Sequence, residues 1–259
     1  LDASEGIDYN AEAALQGVPR EILFWRTLAG LDTMAVGTHN HLYIIQNEGI
    51  FDITPLISSA SLTNPFTTVN GSSIVTVADA SHGQLGGDFV VFSGSGAVDG
   101  IAANTFNRFS GFQITYVNAN SYTIETGTAA TGATSGGGGS VTADYLIGLD
   151  EGLGTQTPSA ADGWGAGPWG AGTWGTARGT GDLVFENSQW SLSLWGEDLI
   201  ATVRGGQIYY WEASDEATTR AALVSAESGA SGVPTLNRLS QISFPDRHLV
   251  SAGANALGA

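Results

Sequence analysis

The residues of this chain that could do chemistry are four histidines, several adjacent carboxylates and an unusual run of tryptophans. His39 and His41 stand two apart, a spacing that would put both imidazoles on one face of a strand, as a metal pair requires. They flank a turn, however, and no third ligand lies nearby in sequence, so a metal site is not expected. His39-Asn40-His41 also spells the letters of a nuclease motif, but the ββα-metal setting of that motif is missing from this strand-rich stretch. His82 before Gly83 and His248 after Arg247 are isolated and suit polar turns. Asp150-Glu151, Glu197-Asp198 and Asp215-Glu216 are carboxylate pairs. Neighbours on a strand point to opposite faces, so such pairs do not converge on one substrate. A glycosidase needs two carboxylates about 5–10 Å apart across a cleft, and sequence does not show that relation. No Gly-x-Ser-x-Gly elbow occurs.

The tryptophans are more distinctive. Within Gly163–Gly175, Trp164, Trp169 and Trp174 recur at a strict five-residue step. Five matches neither the helical nor the strand period, so these rings do not line one face of a regular element. Three readings compete. The favoured one is an extended arm over residues 162–181 whose indoles plug pockets on neighbouring subunits or blades, since large aromatics dominate interface energetics. The others are a platform on which sugar rings stack, and a glycine-rich loop folded over its own core.

The elements that must position these residues are short strands. Met34–Thr38, His41–Ile45 and Ile50–Thr54 are apolar runs separated by turns at His39-Asn40 and Gln46–Gly49, and Pro55 stops further pairing. Ile53 is expected in the core, with the Asp52 or Thr54 side chain holding the turn to the backbone. The pattern returns at Leu199–Val203 and Gln207–Trp211, and more weakly at His248–Ala252, where the third copy is cut short. A tryptophan or apolar strand precedes each copy, at Phe24-Trp25, Trp190–Trp195 and Leu239–Phe244. Antiparallel units of this size, unable to bury both faces alone, indicate propeller blades.

Between the first two copies the character changes. Residues 58–73 are Ser/Thr/Asn-rich and read as a connector. Strands follow at Ser73–Val77, Asp88–Phe92, Phe112–Tyr116, Ser121–Glu125 and Val141–Ile147. The tetraglycine Gly136–Gly139 has no lysine or helix after it, so it reads as a flexible hairpin tip rather than a phosphate loop. Gly94-x-Gly96 with Gly100 fails the dinucleotide test, because no helix opens after it. The expected fold is all-β: propeller-like antiparallel blades with an inserted small β-barrel or sandwich. Residues 1–20 form an N-terminal arm with a short helical piece near Asn10–Leu15, and residues 21–63 are the first part of the blade region. Residues 64–143 are the insert, and residues 144–259 the second part of the blade region.

Composition narrows the function. Over 259 residues the net charge is −17, with eight arginines and no lysine or cysteine. Such a surface repels nucleic acid and anionic membranes, whether it serves solubility alone or lines a conduit through which DNA slides without sticking. Missing lysine excludes Walker-A phosphate binding, Schiff bases and lysine general bases. Missing cysteine excludes disulfides, thiolate metal sites and thiol nucleophiles. No apolar run approaches the roughly 20 residues of a membrane helix. The N-terminus shows no signal-peptide pattern and no initiator Met, and the cut third copy suggests a portion of something longer. No cofactor is expected, and the chain reads as non-enzymatic.

The runs AVGTHNHLYIIQNEGIFDITPL, GWGAGPWGAGTWGTAR and WSLSLWGEDLIATVRGGQIYYWEAS together resemble structural proteins of tailed bacteriophages. The nearest resemblance is to the β-propeller nozzle protein that closes the tail of short-tailed phages. The inserted stretch, HGQLGGDFVVFSGSGAVDGI to FQITYVNANSYTIE, resembles the small β-domains that decorate tail proteins. The resemblance spans most of residues 20–212. It implies a virion tail component without enzymatic activity, assembled as a homo-oligomeric ring, a hexamer in that family. That ring would surround the DNA channel and contact an adaptor and tail fibres. The chain is too short for the blades that would close a full propeller. The alternative is a glycan-binding or depolymerising tail module using Trp164, Trp169 and Trp174.

Overall fold

The computed structural model describes residues 15–147, 189–215 and 217–255, whose regular elements are almost all antiparallel strands. The N-terminal arm up to residue 14 and the tryptophan run lie outside the described residues.

The leading meander joins β1 (Pro19–Arg26), β2 (Asp32–Thr38), β3 (Leu42–Gln46) and β4 (Gly49–Asp52) in that order. Its last hairpin closes over two residues, Asn47 and Glu48, at φ of 49° and 65°. Positive φ at both central positions matches the right-handed strand twist, which fixes the register through Gln46 opposite Gly49. Alternation then sorts the side chains. Trp25, Ala35, Leu42 and Ile44 join one core cluster, and Ile53, just past β4, is fully buried with them. Asp52 Oδ1 accepts the Thr54 N–H at 2.9 Å, the local side-chain bond expected at this turn.

The next strands are β5 (Leu56–Leu62), β6 (Phe66–Thr67), β7 (Ile74–Ala78), β8 (Phe89–Ser93), β9 (Phe112–Gln113), β10 (Thr115–Asn118), β11 (Ser121–Glu125), β12 (Ser135–Gly136) and β13 (Val141–Leu146). They form two sheets, β10-β11-β7-β6-β12 and β5-β13-β8-β9, which share one core and do not close into a barrel. Phe66 stacks on Phe106 at 4.2 Å between centroids and meets Phe92 edge-on at 5.0 Å. The expected connector is corrected here: Leu56–Leu62 is a strand paired with β13 from Leu62↔Val141 to Leu56↔Leu146. Its Ser58–Ser61 centre hides it, because that part of this sheet-edge strand carries only Ser and Ala. The tetraglycine is not a free tip either. Gly138 exchanges hydrogen bonds with Asn64, and a Cβ on Gly137 would lie 2.6 Å from the Phe66 ring. Glycine there allows the backbone to pass over an aromatic core.

The trailing meander, β14 (Trp190–Trp195), β15 (Asp198–Val203), β16 (Ile208–Trp211) and β17 (Ala222–Leu223), repeats the topology of the leading one. Trp190, Leu199, Ala201, Val203, Tyr209 and Trp211 point at the leading meander and complete its core. A hairpin of β18 (Leu239–Ile242) and β19 (Leu249–Ala252) packs on the opposite side, where Ser191 Oγ donates to Ser240 O at 2.7 Å. Three sheets therefore stack in succession, as blades do.

Candidate functional site

His39, His41 and His82 serve structure. His39 Nδ1 accepts the Val18 N–H at 2.9 Å, which ties the chain ahead of β1 to the β2–β3 turn. His41 is 1% exposed, its ring 5.5 Å from Tyr43 and 5.1 Å from Phe89 between centroids. The two imidazoles therefore do not converge, and among the described residues no group of three metal-binding side chains gathers. His82 holds a turn, with Nε2 2.9 Å from Asn118 O and Nδ1 accepting the Gln84 N–H at 3.0 Å. His248 is exposed beside β19.

The carboxylate pair that is described splits because Glu197 lies in the β14–β15 turn while Asp198 opens β15. Glu197 Oε2 accepts the Leu28 N–H at 2.8 Å, joining the turns of the two meanders. Asp198 accepts from the Ala213 N–H at 2.9 Å and the Tyr210 hydroxyl at 3.0 Å. Asp150, Glu151, Glu216, Trp164, Trp169 and Trp174 lie outside the described residues.

Two features emerge that sequence reasoning missed. The first is a latch. Arg220 Nη1 donates to Asp52 Oδ2 at 3.0 Å and to Thr54 O at 2.9 Å, and the Ala221 N–H donates to Ile53 O at 3.0 Å. The segment after β16 is thereby fastened to the end of β4. No local pattern announces it, because the partners lie 168 residues apart.

The second is a groove of about 850 Å³ on the face of the trailing meander turned away from the leading one. Its floor is Trp195, Ile200 and Tyr210, which alternation places on one face, and Leu249 of the terminal hairpin. Its rim is the loop over residues 227–234. Burial raises the Tyr210 phenol, and the hydrogen bond to Asp198 and the charges of Asp198, Glu212 and Glu227 raise it further. The hydroxyl thus stays protonated in a negative field. The signal was present in WSLSLW, where Trp195 falls out of step with Trp190, Leu192 and Leu194 and must face the other way. Trp195 is 40% exposed.

No family model matches the chain, and no curated protein matches it. Among solved structures it is similar to the phage phi92 endosialidase, at 14% identity, over 91% of this chain and 34% of that one, with a TM-score of 0.29. The chain thus spans only part of that protein's length, and a TM-score of this size supports no argument about function.

Proposed function

We propose that this chain is a non-enzymatic structural component of a bacteriophage tail that works through sheet-to-sheet contacts. One observation carries the reading. The leading meander buries one face against the trailing meander, while Ile22 and Phe24 on its other face are 57% and 64% exposed. In a stack of blades such a face belongs against a further blade. The occupant is a second copy of this chain, in a homo-oligomeric ring at the tail nozzle or tip. The resemblance of the leading and trailing runs to nozzle proteins supports that assignment, with a hexamer, an adaptor and tail fibres as the implied partners. A net charge of −17 suits a channel through which DNA passes without binding. Trp164, Trp169 and Trp174 are further subunit contacts in this reading.

Sedimentation of the purified chain, with peptide mass spectrometry of purified virions, tests it. The expected result is an assembly several times the monomer mass, dispersed by Phe24→Asp, and peptides of the chain in the particles. A monomer absent from virions overturns the reading.

A further inference from the structure

The groove on the trailing meander is independent of the ring contacts just proposed, and its chemistry is of a different kind. Its floor is an indole, a phenol and two aliphatic side chains, Trp195, Tyr210, Ile200 and Leu249. Around that floor stand acceptors and small polar groups: the Glu212 and Glu227 carboxylates, Ser228 and Ser231 on the rim, and Asn255. An apolar floor with a polar rim fits a ligand whose faces are C–H and whose edges are hydroxyl. A volume of about 850 Å³ lies within the range of small-molecule sites.

Charge narrows the class. Among the described residues no arginine or histidine lines the groove, and three carboxylates do, so anionic ligands are repelled. A cationic peptide is the rival occupant, because an exposed indole also attracts cations. Asp198 is already committed, however, and Glu212 in part. Both oxygens of Asp198 are occupied, by Tyr210 and Ala213, and Glu212 Oε1 accepts from Ser214 Oγ at 2.7 Å. Glu212 and Glu227 are exposed, where an ion pair contributes about 1 kcal/mol or less. Hydroxyl donors, by contrast, need only the remaining lone pairs and the apolar floor to lie on.

We infer that this groove is a binding site for a neutral oligosaccharide, with Trp195 as the stacking surface and Glu212 and Glu227 as acceptors for ring hydroxyls. The described lining of the site does not include Trp164, Trp169 or Trp174, and the binding involves no bond making or breaking.

The test is titration of the full chain, by calorimetry and by ligand-observed NMR, with maltohexaose, cellohexaose, xylohexaose and mannohexaose. Sialyl-lactose and nona-arginine serve as the anionic and cationic comparators. At least one neutral hexasaccharide is expected to bind at millimolar concentration. Trp195→Ala is expected to weaken it at least tenfold and Glu227→Gln severalfold, the latter on an exposed side chain whose loss leaves the fold intact. Binding of none of the neutral sugars overturns the inference, as does binding of nona-arginine alone or affinity unchanged in both variants. The ring assembly measured above does not depend on this outcome, so either reading can fail without the other.

Discussion

The indole of Trp190 lies against Gly37 so closely that a Cβ on that glycine would stand 2.3 Å from Trp190 Cδ1. The indole N–H donates to the carbonyl of the next residue, Thr38, at 2.6 Å. Gly37 thus sets how near the two meanders approach. Gly37→Ala forces the sheets apart and should cost about 1–3 kcal/mol, the usual range for overpacking a core. Trp190→Phe keeps most of the apolar volume but leaves the Thr38 carbonyl without that donor, at about 1 kcal/mol or more. Urea unfolding of both variants checks the ranking, and an unaffected Gly37→Ala would show that the contact is loose.

The Asp52–Arg220 pair should be asymmetric. Asp52 is 2% exposed and Arg220 21%. Removing Arg220 strands a buried carboxylate, so Arg220→Ala should lose about 3 kcal/mol. Arg220→Ala combined with Asp52→Asn should recover part of that loss, because the stranded charge is gone. A double-mutant cycle by thermal melting measures the coupling.

Alkali should weaken the fold through two tyrosines. The Tyr145 hydroxyl donates to Asp79, and Tyr122 OH lies 3.0 Å from Tyr145 OH. Burial raises both phenols well above their ordinary value, and for Tyr145 the neighbouring phenol and carboxylate raise it further. A raised folded pKa stabilises fully below the unfolded value near 10, and that contribution is lost as pH rises past it. Stability should therefore fall above about pH 10, where the unfolded phenols ionise first. Tyr122→Phe should flatten the slope of stability against pH, measured by denaturant unfolding at successive pH values.

We propose that residues 56–146 fold as a separate unit. The hydrogen bond from Ile147 N–H to Pro55 O, 3.0 Å, brings the ends together. Excising 56–146 with a short turn should leave cooperative unfolding of the paired meanders. Excising 64–143 should do worse, because it leaves β5 without β8 and half of β13. Equal behaviour of the two deletions would contradict the strand pairing.

Local rules reached far in this chain. The strands at Met34–Thr38, His41–Ile45, Leu199–Val203 and Ser121–Glu125 were legible because apolar runs of four to seven residues end at turn-forming residues. The burial of Ile53 and the Asp52–Thr54 turn followed from Pro55 and short-range hydrogen bonding. Strand β5 was not legible, because backbone pairing with β13 forms it and its Ser/Ala centre at 58–61 carries almost no pattern. The tetraglycine was misread for a related reason: its glycines answer to Phe66, which is remote in sequence.

What only the tertiary structure decided is where separated side chains meet. Sequence places Trp195 on the face opposite Leu194 by alternation alone, yet says nothing of the loop that makes its surroundings concave. Arg220 reaches Asp52 across 168 residues, a closure that no composition encodes. His39 and His41 share a spacing that suits a metal, and the turn between them sends one to Val18 and the other between Tyr43 and Phe89. Periodicity fixes which way a side chain leaves its strand; what it meets depends on how the sheets stack.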